Sequence, residues 1–178
     1  MRYVKNKKFE KRNFAYNTTL KRVTNSTFAG SNLESSNIPQ LEIKDSSLVS
    51  ANLRRCILKG AKMVHSNFEK ANFEFANLSR NDYYRINLKS SNLQCTSLKH
   101  TRVNECLLKN ADFRWSHLED SHFTNCNLEG ADFRNADLKN VIFVKCQLKG
   151  ATYNFNTVLP FSHEQAEKKG MVEVPLEY

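Results

Sequence analysis

The sequence predicts an all-β fold built by internal repetition, a solenoid of short extended segments wrapped around one continuous apolar interior. Three observations carry that reading. Every fifth residue from Phe28 to Tyr153 is apolar, twenty-six positions without a break. The residue two places before each of them is nearly always Ala, Ser, Thr or Cys. The residue between the two is often Asn or Asp. A spacing of five matches neither the period of about 3.6 of a helix nor that of about 2 of a strand, so it belongs to a repeat unit.

The large and small residues alternate at a spacing of two, as in Ala51 and Leu53, Ala71 and Phe73, or Cys126 and Leu128. In an extended segment both point inward, the small one making room for the large. Asn32, Asn52, Asn72, Asn92, Asp112 and Asp132 fall between them. Those side chains bond to nearby backbone in tight turns, so they belong at a corner. Only Leu41, Asn81 and Ile86 interrupt the small-residue slot. Asn81 and Ile86 are expected to widen or bulge their coil and push Tyr84 and Arg85 outward.

The motif of Ala, Asp or Asn, Leu or Phe and two free polar residues resembles the pentapeptide repeat proteins. It stands almost verbatim in Ala76-Asn77-Leu78, Ala111-Asp112-Phe113, Ala131-Asp132-Phe133 and Ala136-Asp137-Leu138. The resemblance implies a right-handed quadrilateral parallel β-helix with four pentapeptides to a coil. Residues twenty apart then stack, and the column from Asn32 to Asp132 becomes one continuous ladder. At about 4.8 Å per coil, the in-phase repeats make a rod of roughly 31 Å.

In chain order, residues 1–22 read as a basic N-terminal arm with an imperfect first coil. Phe14 and Val23 are nine apart instead of ten, so one residue is missing between them. Residues 23–153 are the repeat β-helix, and 154–178 a C-terminal cap. In that cap Ser162 and Gln165 form a capping box for a short helix from His163 to Lys169, stopped by Gly170. Such a helix covers the open strand edges of the last coil. The resemblance also implies a homodimer through the C-terminal end as one arrangement.

The formal charge of +9 is uneven. Residues 1–22 carry eight Lys or Arg against Glu10, a net of +7, and residues 154–178 carry −2, which leaves +4 on the body. Cys56, Cys106, Cys126 and Cys146 occupy the small inward slot, so free thiols and a reducing compartment are expected rather than disulfides. No apolar segment follows the basic N-terminus that would serve as a signal peptide or span a bilayer. The expected location is therefore cytoplasmic, with secretion lacking a cleaved signal as the other reading.

A packed β-helix offers flat faces rather than a recess, so no enzyme, catalytic residue or cofactor is expected. His117 and His122 diverge around a corner, and no acidic or thiol partner stands at metal-ligand spacing, so no metal is expected. The outward positions remain. Phe75, Cys95 and Trp115 are twenty apart and form one outward column, flanked by Arg54, Arg55, Arg114 and Arg134. With Tyr84 and Arg85 they are the candidate partner-binding residues, because aromatic and arginine side chains anchor interfaces and also stack on bases. The leading function is a non-enzymatic rigid scaffold for an unidentified protein partner. The resemblance suggests a second, binding or protecting a type II topoisomerase (gyrase) by imitating DNA, but a duplex mimic needs the dense negative charge that this body lacks. Nucleic-acid binding through the basic arm is the third.

Overall fold

The computed structural model describes residues 2–176; Met1 and the last two residues of the expected cap, Glu177 and Tyr178, lie outside them. The chain is a parallel β-solenoid of about nine turns. Its main sheet has eight strands in chain order: β1 (Tyr3–Lys5), β2 (Arg22–Thr24), β3 (Glu42–Lys44), β4 (Lys62–Val64), β5 (Asp82–Tyr84), β6 (Arg102–Asn104), β7 (His122–Thr124) and β8 (Ile142–Val144). From β2 onward each residue pairs twenty places further on, from Arg22 with Glu42 to His122 with Ile142. The other sides of a coil pair through single bridges, such as Thr27 with Ser47, Asn32 with Asn52 and Asn37 with Ile57. One sheet and three bridge columns make the four sides. At about 4.8 Å per coil, nine turns span roughly 43 Å.

The period-five residues line the axis. All are buried except Phe143, which is partly covered and packs on Phe161 with ring centroids 6.3 Å apart. Each buried Leu or Phe contributes about 1.5–3 kcal/mol. The corners explain the polar positions. Asn52 Oδ1 accepts the Arg54 amide at 3.1 Å, Asn72 Oδ1 that of Glu74 at 3.0 Å, and Asp132 Oδ1 that of Arg134 at 3.1 Å. These Asx turns bring the chain round within its own coil. Asn52 Nδ2 also donates to Asn32 Oδ1 in the coil before, at 3.1 Å. The residue closing each pentad is left-handed, as at Arg55 (φ 56°), Phe75 (59°) and Trp115 (60°).

The register departs from twenty only at the ends. Residues of the first coil pair nineteen apart, as Tyr3 with Arg22 and Asn13 with Asn32, so the missing residue falls between Asn17 and Arg22. The basic segment is thus wound onto the rod and stacked on the second coil. Near the other end Asp137 bridges Val158, twenty-one on. There β9 (Thr152–Tyr153) pairs in parallel with β10 (Val172–Glu173), and α1 (His163–Lys168) joins them. Ser162 Oγ accepts from Gln165 N, and Gln165 Oε1 accepts from Ser162 N, both at 3.2 Å. Ala166 and Met171 are the buried apolar residues of this cap, and Asn154 and Thr157 are its buried polar ones.

The bulge expected at Asn81 and Ile86 does not form. β5 pairs with β4 and β6 without interruption, and both Asn81 and Ile86 are fully buried. Asn81 is satisfied by its surroundings: Oδ1 accepts the Ala61 amide at 2.8 Å, and Nδ2 donates to the Tyr83 hydroxyl at 2.8 Å. The one Tyr among the central core positions therefore answers the one Asn in the slot beside it. Burial pushes the Tyr83 phenol up, away from ionisation. Tyr83→Phe leaves Asn81 Nδ2 buried without an acceptor and is expected to cost about 1–3 kcal/mol. Denaturant unfolding checks this, and the Asn81→Ala, Tyr83→Phe double variant should lose less than the sum of the single changes.

Candidate functional site

The outward corner that holds Phe75 and Trp115 is the most apolar line on the rod. Phe75 is 48% exposed and Trp115 56%, and Cys95 between them is half-buried. The column continues further than its in-phase repeats suggest. Asn135 accepts at Oδ1 from Asn154 Nδ2 at 3.2 Å and Asn156 Nδ2 at 3.1 Å, which sets residues 154–156 above it. Phe155 therefore follows, 80% exposed. Phe75, Trp115 and Phe155 occupy alternate coils, about 10 Å from one to the next. Sequence reasoning missed Phe155 because the period of five stops at Tyr153; the spacing of forty from Trp115 was the available signal. Trp115 also borders a hollow of about 260 Å³ shared with Asn135, Asn154 and Leu176.

Most of the flanking arginines are already engaged. Arg54 lies between Glu74 at 3.0 Å and Glu34 at 3.6 Å, with its guanidinium 5.4 Å from the Phe75 ring. Arg114 forms a two-pronged pair with Asp112, closest at 2.8 Å, and reaches Asp132 at 3.7 Å. Arg134 holds Asp132 in the same way, at 2.8 Å. Arg55 is exposed and 6.0 Å from the Phe75 ring; no ion pair to it is found among the described residues. Tyr84 and Arg85 are not part of this group. They stand half a coil away, at the opposite corner, where Arg85 pairs with Glu105 at 2.6 Å and lies 4.8 Å from the Tyr84 ring.

The histidines have acidic neighbours after all. Stacking at twenty sets His65 beside Asp45 at 3.5 Å and His100 beside Asp120 at 3.7 Å. His117, Glu119 and Asp137 bring ligand atoms within 4.8 Å of one another, which overturns the expectation that His117 lacks a partner. The cation there is already supplied, because Lys99 Nζ is 2.6 Å from Glu119 Oε1. A groove of about 1190 Å³ runs along the corner from Asn6 to Leu107. Three of its serines are occupied: the hydroxyls of Ser26, Ser46 and Ser66 donate to the carbonyls of Thr24, Lys44 and Val64. They are not aimed at His65, so no nucleophile–base pair is assembled. Burial pushes the Cys56 thiol up to about 12, and hydrogen bonding with Cys106 pushes Cys126 up to about 12. Both are protonated and inert near neutral pH. Among the described residues no helix is long and apolar enough to cross a membrane.

A sealed interior, left-handed corners every fifth residue and chemistry confined to outward columns define a five-residue-repeat solenoid. A family profile described as Pentapeptide repeats matches eight copies, over residues 46–82, 84–125, 106–143 and 116–152. The chain belongs to the pentapeptide repeat family. Among solved structures it is similar to alr5209, a pentapeptide repeat protein from Nostoc Pcc 7120, at 22% identity over 61% of this chain and 84% of that one, with a TM-score of 0.48. It is also similar to a trypsin-treated form of QnrB1, a plasmid-mediated fluoroquinolone resistance protein, at 16% identity over 97% and 90%, with a TM-score of 0.50. At these identities the likeness is one of fold. No curated protein matches the chain.

Asp132 sets the acid limit of the arginine ladder. Partial burial alone would raise its carboxyl, but hydrogen bonds from the Arg134 side chain and amide, the Arg134 charge and Thr152 hold it below the usual range. A depressed carboxylate contributes stability that is present above its unfolded value of about 3.9 and lost as pH falls through the folded value. The melting temperature should therefore drop below about pH 4. Asp132→Asn, measured over the same range, should flatten that part of the curve.

Proposed function

We propose that this protein is a non-catalytic scaffold whose corner of Phe75, Trp115 and Phe155 docks on a protein partner, with Arg55 as the free cation beside it. The observation that carries the reading is where these rings stand. Phe75 and Trp115 occupy left-handed backbone positions, which disfavour bulky side chains by about 1–2 kcal/mol per residue. Every corner shares that backbone, and most carry Gly, Asn, Ser or a long polar side chain, as at Gly130, Asn110, Lys70 and Arg80, so it is the exposed rings that single out this column. Exposed aromatic side chains aligned on one face mark interaction surfaces. Three rings on one rigid line, two coils apart, match the aromatic anchors of protein interfaces. That the Ser26, Ser46 and Ser66 hydroxyls of the groove are bound to backbone carbonyls supports the non-catalytic part of the reading.

Trp115→Asn places a residue suited to the corner there. It is expected to leave the melting temperature unchanged or raise stability by up to about 1 kcal/mol, while partner binding falls at least tenfold, about 1.4 kcal/mol. Loss of folding in this variant would make Trp115 structural and end the proposal.

Topoisomerase protection is supported less well, because the acidic groups of the rod are tied to Arg and Lys along the ladders. A gyrase supercoiling assay is expected to show no inhibition and no rescue from a quinolone at any concentration of added protein. Either effect would favour that reading over a scaffold of unspecified partner.

A further inference from the structure

The two ends of the rod are finished differently. At one end the chain closes its own last coil by adding a strand. β10 lies parallel to β9, with Val172 N donating to Ala151 O and Val174 N to Tyr153 O, both at 2.8 Å. The segment that does this is acidic, with Glu164, Glu167 and Glu173, and it buries Met171 and Ala166.

At the other end nothing corresponds among the described residues. In the second coil the amides of Thr27 and Asn32 donate back to Lys7 O and Arg12 O, at 2.9 Å each. Among the described residues no coil stands on the far side of Lys8 and Asn13, which bridge Thr27 and Asn32 from the first coil, and their own N–H and C=O groups face away from the second coil. β1 is likewise the edge of the main sheet. Inside this edge Phe9, Phe14 and Phe28 cluster with centroids 5.1–5.3 Å apart, and Phe9 and Phe14 are only partly buried. Lys5, Lys7, Lys8, Lys11, Arg12 and Lys21 surround it, exposed and without an ion pair among the described residues. Further along the rod, about half of the basic residues meet a carboxylate, as Arg22 meets Glu42 at 2.6 Å and Lys109 meets Glu129 at 3.0 Å.

We infer that the first coil is a docking edge for an acidic polypeptide strand. The strand adds in parallel to β1, sets an apolar residue over Val4 and Phe9, and places carboxylates beside Lys5 and Lys8. Open sheet edges recruit extended chains through main-chain hydrogen bonds, and alternate side chains then supply specificity. The chemistry of the occupant follows from charge. A second copy's first coil carries the same +7 and repels it, and its acidic cap strand is already paired within its own chain. The inference concerns the opposite end from Phe155 and stands apart from the aromatic corner.

The test uses the full chain and an end-blocked, fluorescein-labelled octapeptide of alternating Glu and Val, followed by anisotropy. A Glu–Asn octapeptide of equal charge and an eight-nucleotide oligothymidylate serve as comparison probes. The Glu–Val peptide is expected to bind about tenfold tighter than either, since only it supplies both edge and core contacts. The Lys5→Glu, Lys8→Glu double variant should lose about tenfold, and Lys62→Glu, on the fourth coil, nothing beyond the general salt-dependent change. The Lys8 and Asn13 amides should exchange with solvent several-fold more slowly in the complex, which an ionic contact alone does not cause. Equal binding of both peptides, tighter binding of the oligonucleotide, or binding without amide protection overturns the inference. So does the absence of binding, which would leave these lysines as guards that keep the edge unpaired.

Discussion

Every coil must hydrogen-bond to the coil before and the coil after it, and the rest of the structure depends on that demand. A backbone repeat of twenty residues satisfies it, and one residue more or fewer in the middle of the rod would turn every later side chain to the wrong face. The register is accordingly unbroken from β2 to β8. The short count lies in the first coil and the long one in the turn before Val158. These are the places where a coil answers to only one neighbour, so a misfit is not passed on.

Stacking also multiplies each choice of side chain. A residue at one corner meets its counterpart about 4.8 Å away, so a column of one charge repels itself along its length. The rod alternates signs instead, as in Glu34, Arg54 and Glu74, or shares a carboxylate between arginines, as at Asp132. Exposed pairs of this kind contribute about 0–1 kcal/mol each, so their main effect is to make stacking tolerable. Most carboxylates of the body are engaged in this way, and the densest positive excess, +7, gathers at the first coil.

The axis of the fold was legible because burial repeats: a residue that faces inward once faces inward every five places. The corners were legible for the same reason, since Asn32 through Asp132 perform one local turn six times over. What could not be read were contacts across a period the eye does not follow. Asn81 looks like a defect until the Tyr83 hydroxyl is placed beside it, two residues on but on the same inward side. Arg114 and Arg134 look free because their carboxylates sit two residues back and a coil away. His117 finds Asp137 by the same step of twenty that had already defined the ladders. Tyr84 and Arg85 drew notice through the odd residues Asn81 and Ile86 beside them, and half a coil of backbone puts them at the corner opposite Trp115. Phe155 was lost because the chain adds a residue there and leaves the period.

The cap formed by α1 and β10 is encoded after all the coils it closes. As the chain emerges during synthesis, each new coil can settle on the previous one as soon as about twenty residues have cleared, and the rod grows from its basic end. Its growing end presents an unpaired edge throughout that time, sealed only when Met171 and Val172 arrive. The stack of coils therefore sets its register before α1 and β10 are added, and the cap closes an edge that it did not template.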